Sequence, residues 1–384
     1  MFEKLKYRLL VFIRYLGDSF FYPFFALYLK EQGLVESKIG FILSISPLIG
    51  IITNPIYTKI CKNTRITKQV LTIVTILEAL FITAISFSSN FYLISVLTIF
   101  VAIFGSCHYG LLDSLLSIYA QIAKVDYSSI RLFGSFAYII GTSIGGLIAK
   151  SYNYQVCFII ASIFFIISGV LYFIIKPMEY EETKEKSNYK VLFKNKSYLI
   201  FVIFIVILLG TLNAGDHFFS VYLESRSIAS NQYGMIYSYY VIIEVVLLFI
   251  FSKLSNKLNN NILLIIASIC LTLRLFINGM YAPLAIVVIA SGLRGVSYAI
   301  ILHTSFKTIT QILGKEKATS GIMFMTLCSS LYLFLFNNVD GFIIEKTQGY
   351  QVFYLILTII SLFSLILSIV NYVYNLNKGK LIKK

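Results

Sequence analysis

The sequence is poor in charge and in the residue types from which catalytic and metal centres are built. Charged residues make up 13% of its 384 residues, tryptophan is absent, and there are only five prolines and three histidines. A soluble domain carries about 25% charged residues, so this chain has too few charges to cover a water-exposed surface. Its apolar residues, at 58%, are too many for a disordered chain. The composition therefore indicates a polytopic membrane protein.

The motifs of common enzymes and pumps are also missing. The five cysteines show no paired spacing, so we expect neither disulfides nor a metal site built from them. The chain has no His-Glu-x-x-His zinc motif and no G-x-x-x-x-G-K-(S/T) phosphate loop, which are typical of zinc hydrolases and nucleotide-driven proteins. We therefore predict no enzyme, no primary pump, no metal and no organic cofactor.

Acidic residues are scarce, with 17 Asp and Glu against 32 Lys and Arg and a net charge of +15. Of the basic residues, 24 lie in segments on the same side of the membrane as the N-terminus, and five lie in loops on the opposite side. Three arginines (Arg14, Arg274, Arg294) lie inside apolar runs. The positive-inside rule then places both termini in the cytoplasm, in a multi-pass protein of the cell inner (cytoplasmic) membrane. Nucleic acid is not needed as a partner, and the expected partners are the lipid bilayer and a small-molecule substrate.

Twelve apolar runs approach or exceed the roughly 20 residues that a membrane-crossing helix needs. The first contains Asp18 and no small-residue cleavage site, so we interpret it as a span and not as a signal peptide. The predicted spans are 7–30, 38–60, 69–88, 91–119, 130–150, 153–175, 198–224, 232–253, 262–281, 283–306, 318–340 and 351–375.

A hydrophilic stretch at 176–197 divides the spans into six and six. At a gapless offset, FFALYL at Phe24 to Leu29 aligns with FFSVYL at Phe218 to Leu223. We therefore predict an N-terminal six-helix bundle at 1–175, a cytoplasmic linker at 176–197, and a C-terminal six-helix bundle with a short tail at 198–384. Transporters built from such repeats bind substrate near the midplane and alternate access by rocking the halves. We expect a functional monomer.

Two segments then resemble a known family. LLD at Leu111 to Asp113 and DYSSIRLFGSF at Asp126 to Phe136 resemble helices four and five of the major facilitator superfamily, in the branch of phenylpropionate-permease-like, lactose-permease-like and nucleoside proton symporters. The resemblance implies the major facilitator fold and a charge pair, Asp113 and Arg131, that exchanges partners with the substrate. The alternative for this pair is a structural ion pair. Tyr138 takes the place of the sugar permease's stacking tryptophan, so it is a further predicted substrate contact.

The sequence also departs from the family pattern. Thr58 and Lys62 stand where the loop between helices two and three normally carries Gly and Asp, so the resemblance does not extend to the cytoplasmic gate contact that this motif supplies in the family. In span five, Thr142 replaces the proline of a G-P-x-x-G-G segment that antiporters elaborate, which favours symport over efflux. The glycines of that span, Gly134, Gly141, Gly145 and Gly146, have spacings that allow close helix approach.

Ionisable groups inside spans cost ~2.5–3.5 kcal/mol each on insertion scales and tend to be paired and functional. Glu244 has no basic residue within four positions, so it is the predicted proton carrier, with Arg274 modulating it and His303 a candidate relay. The alternative for Glu244 is a structural hydrogen bond. Asp216 and Arg294 are predicted to form a structural pair.

Asp18 lies one helical turn from Arg14 and shares a face with it. We predict either an intrahelical pair or a substrate contact at Asp18. Tyr22 and Tyr109 lie on the same predicted spans as the charges, but no role is assigned to them.

The sequence thus predicts a secondary active transporter of a small polar or anionic solute, such as a sugar, a nucleoside or an aromatic acid. Proton symport by alternating access is the preferred mechanism, with the proton as coupling ion. An efflux antiporter or a facilitative uniporter of the same fold is the alternative.

Overall fold

A computed structural model describes residues 2–178, 192–254 and 259–382 of the chain. Most of the predicted linker at 176–197 lies outside these residues. Fourteen α-helices and no β-strand occur in the described part. They are α1 (Phe2–Glu31), α2 (Glu36–Ile60), α3 (Thr64–Ser86), α4 (Phe91–Gly105), α5 (His108–Ile122), α6 (Ser128–Ser151), α7 (Tyr154–Ile174), α8 (Lys196–His217), α9 (Phe219–Ser225), α10 (Ser230–Leu254), α11 (Asn260–Gly279), α12 (Leu284–Leu313), α13 (Lys315–Thr347) and α14 (Tyr350–Ile382).

Several helices begin at an asparagine, which explains why the chain turns there. The side-chain oxygens of the capping asparagines each accept a backbone N–H of the first helical turn. These residues are Asn63, Asn90, Asn153, Asn195 and Asn259, at the starts of α3, α4, α7, α8 and α11.

Twelve helical segments of the described residues are long and apolar enough to cross a membrane, so the predicted all-α, twelve-span architecture is confirmed. The fourth span is interrupted, because α4 ends at Gly105 and α5 begins at His108. At this break the Ser106 hydroxyl shares a 2.7 Å hydrogen bond with Thr53. α12 and α13 extend beyond the predicted runs, to Leu313 and Thr347, because polar residues such as Lys, Gln and Glu also favour helix.

The chain divides into two compact units. Unit 1 comprises Met1–Lys184 and Ser220–Val241, and unit 2 comprises Glu185–Phe219 and Ile242–Lys384. Contacts therefore group the first part of α10 with unit 1 and its remainder with unit 2. The bundle boundaries predicted from the sequence remain a prediction.

Glycines set the packing of α6 in unit 1. A Cβ added at Gly141 would lie 1.8 Å from Ser19 Oγ of α1, and one added at Gly145 would lie 2.8 Å from the Phe24 ring. Only a residue without a side chain allows α1 and α6 to approach this closely, as the glycine spacing predicted.

The first part of α10 crosses α6 at similarly close range, and we call this contact the α6–α10 crossing. A Cβ at Gly234 would lie 2.2 Å from the backbone oxygen of Thr142. The Ser238 hydroxyl lies 2.8 Å from the hydroxyl oxygens of both Thr142 and Ser143. The crossing is held by hydroxyl hydrogen bonds between two closely packed backbones.

In unit 2, α11 packs against α12 and α14. The Ser297 hydroxyl of α12 donates to the Ala267 carbonyl at 3.0 Å, and the hydroxyls of Thr272 and Ser361 are 2.8 Å apart. Tyr354 donates to the Gly215 carbonyl at 3.1 Å. These bonds hold α11 against α12 and α14, and α14 against α8. α8, α11 and α12 carry the charged residues Asp216, Arg274 and Arg294.

Candidate functional sites in the two units

Three charged residues of unit 1 form a buried cluster that we call the unit 1 triad: Arg14 and Asp18 on α1 and Glu78 on α3. Their side chains are 0% exposed. Arg14 Nη1 lies 2.8 Å from Asp18 Oδ1, and Arg14 Nη2 donates to Glu78 Oε2 at 3.0 Å and to Oε1 at 3.2 Å. One guanidinium therefore holds two carboxylates on two helices.

Aromatic residues enclose the triad. Tyr22 donates to Glu78 Oε1 at 3.1 Å, and Tyr109 donates to Asp18 Oδ2 at 3.0 Å. The Arg14 guanidinium also lies over the Phe165 ring, 4.0 Å from its centroid. Tyr22 and Tyr109 are 38% and 36% exposed as whole residues, while their hydroxyls point inward to the buried carboxylates.

The predicted pair of Asp113 on α5 and Arg131 on α6 is brought together, but loosely. Arg131 Nε lies 3.7 Å from Asp113 Oδ1, and the two side chains are 34% and 43% exposed. Tyr127, between the spans, donates to Asp113 Oδ1 at 2.8 Å. Burial and the neighbouring Asp113 carboxylate raise the pKa of Tyr127 above its usual range, so its hydroxyl keeps the proton that it donates.

Tyrosine rings extend from this pair across α1, α6 and α10. The Arg131 guanidinium lies 4.2 Å from the Tyr15 ring centroid. The Tyr15 ring lies 6.0 Å from that of Tyr138, which stacks on Tyr237 at 6.1 Å. Tyr138, predicted as a substrate contact, therefore belongs to an aromatic surface that adjoins Arg131.

Four charged residues of unit 2 form the unit 2 tetrad: Asp216 on α8, Glu244 on α10, Arg274 on α11 and Arg294 on α12. Asp216 Oδ1 lies 2.7 Å from Arg274 Nη1, and Asp216 Oδ2 accepts from Arg294 Nε at 2.8 Å. Arg294 Nη1 donates to Glu244 Oε2 at 2.8 Å. The structure thus brings the predicted Asp216–Arg294 pair together.

The tetrad also shows how Glu244 is connected to Arg274, its predicted modulator. The connection runs from Glu244 through Arg294 and Asp216 to Arg274. His303 is placed elsewhere on α12, with its ring 5.2 Å from the Phe251 ring. It lies nine residues beyond Arg294, which is about 14 Å along a helix. The structure does not bring the candidate relay to the tetrad.

No group of three or more His, Cys, Asp or Glu side chains is arranged to hold a metal ion in the described part of the chain. The sites consist of arginine–carboxylate networks and tyrosine hydroxyls. Such groups can bind hydroxyl-bearing solutes, exchange ion-pair partners and carry protons.

A family model described as the MFS_1 like family matches residues 4–375. The chain belongs to this family. It is a multi-pass membrane transporter and not an enzyme, and its fold is the major facilitator fold that the sequence predicted.

Named proteins resemble this MFS_1-like chain at modest identity. The uncharacterized transporter YwbF of Bacillus subtilis (strain 168) is 28% identical over 235 residues, which are 60% of this chain and 59% of that protein. The sucrose permease of Escherichia coli is 24% identical over 377 residues, covering 91% of this chain and 89% of the permease. A crystal structure of a mutant of the nucleoside transporter NupG matches with a TM-score of 0.87 and 15% identity, covering 96% of this chain and all of that one (100%).

Several residues of this MFS_1-like transporter were not assigned a role from its sequence. Glu78 lies inside the predicted span 69–88, but its place in the triad depends on Arg14, which lies 64 positions away in sequence. Tyr22 and Tyr109 were seen only as tyrosines on relevant spans. The usable signal was Glu78 itself, because a mid-span carboxylate is expected to have a partner.

Proposed function

We propose that this transporter moves a neutral, polyhydroxylated solute, a sugar or a nucleoside, by proton symport. The observation that carries the proposal is that each arginine of the triad, the tetrad and the Asp113 pair already faces a carboxylate. An anionic substrate such as an aromatic acid would need a cation that no acid neutralises. The names of the sucrose permease and of NupG support the same two solute classes.

Asp113 and Arg131 are the proposed hydrogen-bonding site for this solute. These two side chains are more exposed than the charged side chains of the triad and the tetrad. Arg131 Nε and Asp113 Oδ1 are 3.7 Å apart, so a hydroxyl group of the solute can donate to Asp113 and accept from Arg131. The same Asp113 carboxylate repels an anion. Sugar C–H faces and nucleobases both pack on aromatic rings. The half-buried Tyr138 and Tyr237 rings offer such a surface, and the buried Tyr15 ring supports it from behind.

Glu244 is the proposed carrier of the coupling proton. Its carboxylate accepts from Arg294, which also binds Asp216. A proton on Glu244 removes the charge that holds Arg294 Nη1, while the ion pair of Arg294 with Asp216 remains. The tetrad has two arrangements, and the proton selects between them, as alternating access requires. We further propose a monomer in the bacterial inner membrane, with both termini in the cytoplasm and no coupling ion other than the proton.

The substrate class is tested by ligand stabilisation of the purified protein, because a bound ligand raises apparent stability by mass action. Sugars, nucleosides and 3-phenylpropionate are compared on the wild type, Asp113→Asn and Arg131→Gln. We expect a neutral solute to raise the melting temperature of the wild type and of neither variant. Stabilisation by phenylpropionate alone would overturn the neutral-solute proposal.

Coupling is tested in proteoliposomes with the solute found in that screen. We expect an inward proton gradient to drive accumulation that a protonophore abolishes, and Glu244→Gln to retain solute exchange without accumulation. Gradient-independent equilibration would identify a uniporter, and extrusion driven by an inward proton gradient would identify an efflux antiporter. Accumulation by Glu244→Gln would remove Glu244 from the coupling role.

A further inference from the structure

The charges of the unit 1 triad do not balance. Arg14 is one cation, whereas Asp18 and Glu78 are two carboxyl groups, and all three side chains are 0% exposed. The unit 2 tetrad, by contrast, joins two arginines to two carboxylates. A buried charge without a counter-charge is strongly unfavourable, and a carboxyl group in this position takes up a proton instead.

No neighbouring group supplies the missing positive charge in the described structure. Arg131 on α6 attracts the Asp18 carboxylate only from a distance, because its guanidinium is paired with Asp113 and lies over the Tyr15 ring. His108 on α5 bonds the hydroxyls of Thr75, at 3.3 Å, and Tyr172, at 2.8 Å, and not a carboxylate. The remaining titratable groups that face the triad supply no positive charge. They are the buried Cys107 thiol, between α4 and α5, and phenols from α1, α5, α6 and α7: Tyr15, Tyr22, Tyr109, Tyr138 and Tyr172.

We propose that Asp18 and Glu78 together bind one proton, which makes the unit 1 triad a proton-binding site separate from Glu244. Two carboxyl groups on one guanidinium titrate as a pair, so the proton belongs to the pair and not to either residue. The proposal concerns the substrate-free protein and does not depend on the solute or on the role of Glu244.

The two tyrosines provide the route by which this proton enters and leaves. Tyr109 donates to Asp18, and Tyr22 donates to Glu78, while each residue as a whole is more than a third exposed. In this route, a hydroxyl that passes its proton to the carboxylate is reprotonated by hydronium, which becomes water. The net change is one proton moved from water to the pair.

Infrared difference spectroscopy of the purified protein detects a protonated carboxyl by its carbonyl stretch. We expect this band in the substrate-free wild type at neutral pH, and we expect Asp18→Asn and Glu78→Gln each to lose it, because either change leaves one arginine facing one carboxylate. Asp113→Asn and Glu244→Gln are matched controls that keep the band. Asp340→Asn accounts for a second contribution, since Asp340 is also buried.

The absence of the band in the wild type overturns the proposal without any variant. The proposal is also overturned if the band disappears in Asp340→Asn but persists in both Asp18→Asn and Glu78→Gln. Neither result bears on the solute or on coupling at Glu244, so this proposal and the proposed function fail separately.

The pH dependence of stability is the second measurement. A proton that the folded state holds and the unfolded state releases makes the free energy of unfolding fall as pH rises. We expect the melting temperature of the wild type to decrease from mildly acidic to mildly alkaline pH, and Asp18→Asn and Glu78→Gln to flatten this decrease. Equal slopes in the wild type and both variants would contradict a shared proton.

Discussion

At the scale of single residues, Arg14 has the most demanding role in unit 1. It is fully buried and is the only arginine bonded to both Asp18 and Glu78 in the described structure. Removing one partner of a buried ion pair leaves an uncompensated charge, which costs far more than the intact pair contributes. We therefore expect isosteric neutral substitutions of Asp18 or Glu78 to destabilise the protein less than the loss of Arg14 does.

Arg14→Ala is expected to lower the free energy of unfolding by about 3–5 kcal/mol, the usual cost of breaking a buried pair. Lys346→Ala, at an exposed position on α13, is the control and is expected to stay within about 0.5 kcal/mol of the wild type. Denaturant or thermal unfolding in detergent measures both. An effect of Arg14→Ala no larger than that of the control would show that the triad contributes nothing to stability.

The sequence predicted those residue contacts that follow from local or family spacing. Asp113 and Arg131 were paired because their spacing matches a family segment, and Arg14 and Asp18 because they lie one turn apart. Glu78 and the link from Glu244 to Arg294 escaped prediction, because those contacts join different helices whose rotation is set by packing. Sequence patterns give the apolar face of a helix but not the partner of a single buried acid.

At the scale of helices, the spans were predictable from the length of the apolar runs. The glycine spacing predicted that some helices pack closely, but not which helices they are. The glycines of span five indicated close packing, and the structure identifies α1 and α10 as the partners of α6. The break between α4 and α5 was not predicted, since an unbroken apolar run continues through Ser106 and Cys107. It lies where a Cβ at Gly105 would come within 2.6 Å of Glu78 Oε1, so the buried acid and the break occur together.

Gly234→Ala is expected to disrupt the α6–α10 crossing, because the added methyl group would lie 2.2 Å from the Thr142 backbone oxygen. A backbone atom cannot move aside as a side chain can, so we expect a loss of about 1–3 kcal/mol in the free energy of unfolding, as for other overpacked sites. Gly110→Ala on α5 is the matched control, since nothing lies within 4 Å of its added Cβ. The control is expected to be neutral or stabilising. Equal melting temperatures for the two variants would contradict the close packing.

At the scale of the whole molecule, α10 contributes to two compact units. Its first part lies in unit 1 at the α6–α10 crossing, and the rest lies in unit 2 with Glu244. The bundle boundaries predicted from the sequence, 1–175 and 198–384, place α6 and α10 in different halves. Under those boundaries and the proposed alternating-access mechanism, the crossing opens and closes once in each cycle. Its hydroxyl hydrogen bonds are exchangeable, and it contains no ion pair among the bonds described above, which suits a contact that must be broken repeatedly.

A reversible cross-link tests this requirement. Cysteines placed at Thr142 and Ser238, whose hydroxyl oxygens are 2.8 Å apart, are expected to form a disulfide when the five native cysteines are replaced. Oxidation is then expected to stop solute exchange in proteoliposomes, and reduction to restore it. Each single-cysteine variant is the control. Full exchange by the cross-linked protein would show that the crossing stays closed throughout transport.

Because α10 is one continuous helix, the crossing and the tetrad are locked in helical phase. Ser238 and Glu244 are six residues apart, which is about 9 Å of axial rise and, at about 100° per residue, places them on different faces. A rotation of α10 about its axis that changes the Ser238 contacts of the crossing therefore also rotates Glu244 by the same angle. A single residue inserted between them would rotate the Glu244 carboxylate by about 100° relative to Ser238, although no existing side chain would be substituted. The coupling between protonation of Glu244 and opening of the α6–α10 crossing would then depend on the angular register of this helix. Substituting Ser238 or Glu244 alone would not reveal this dependence.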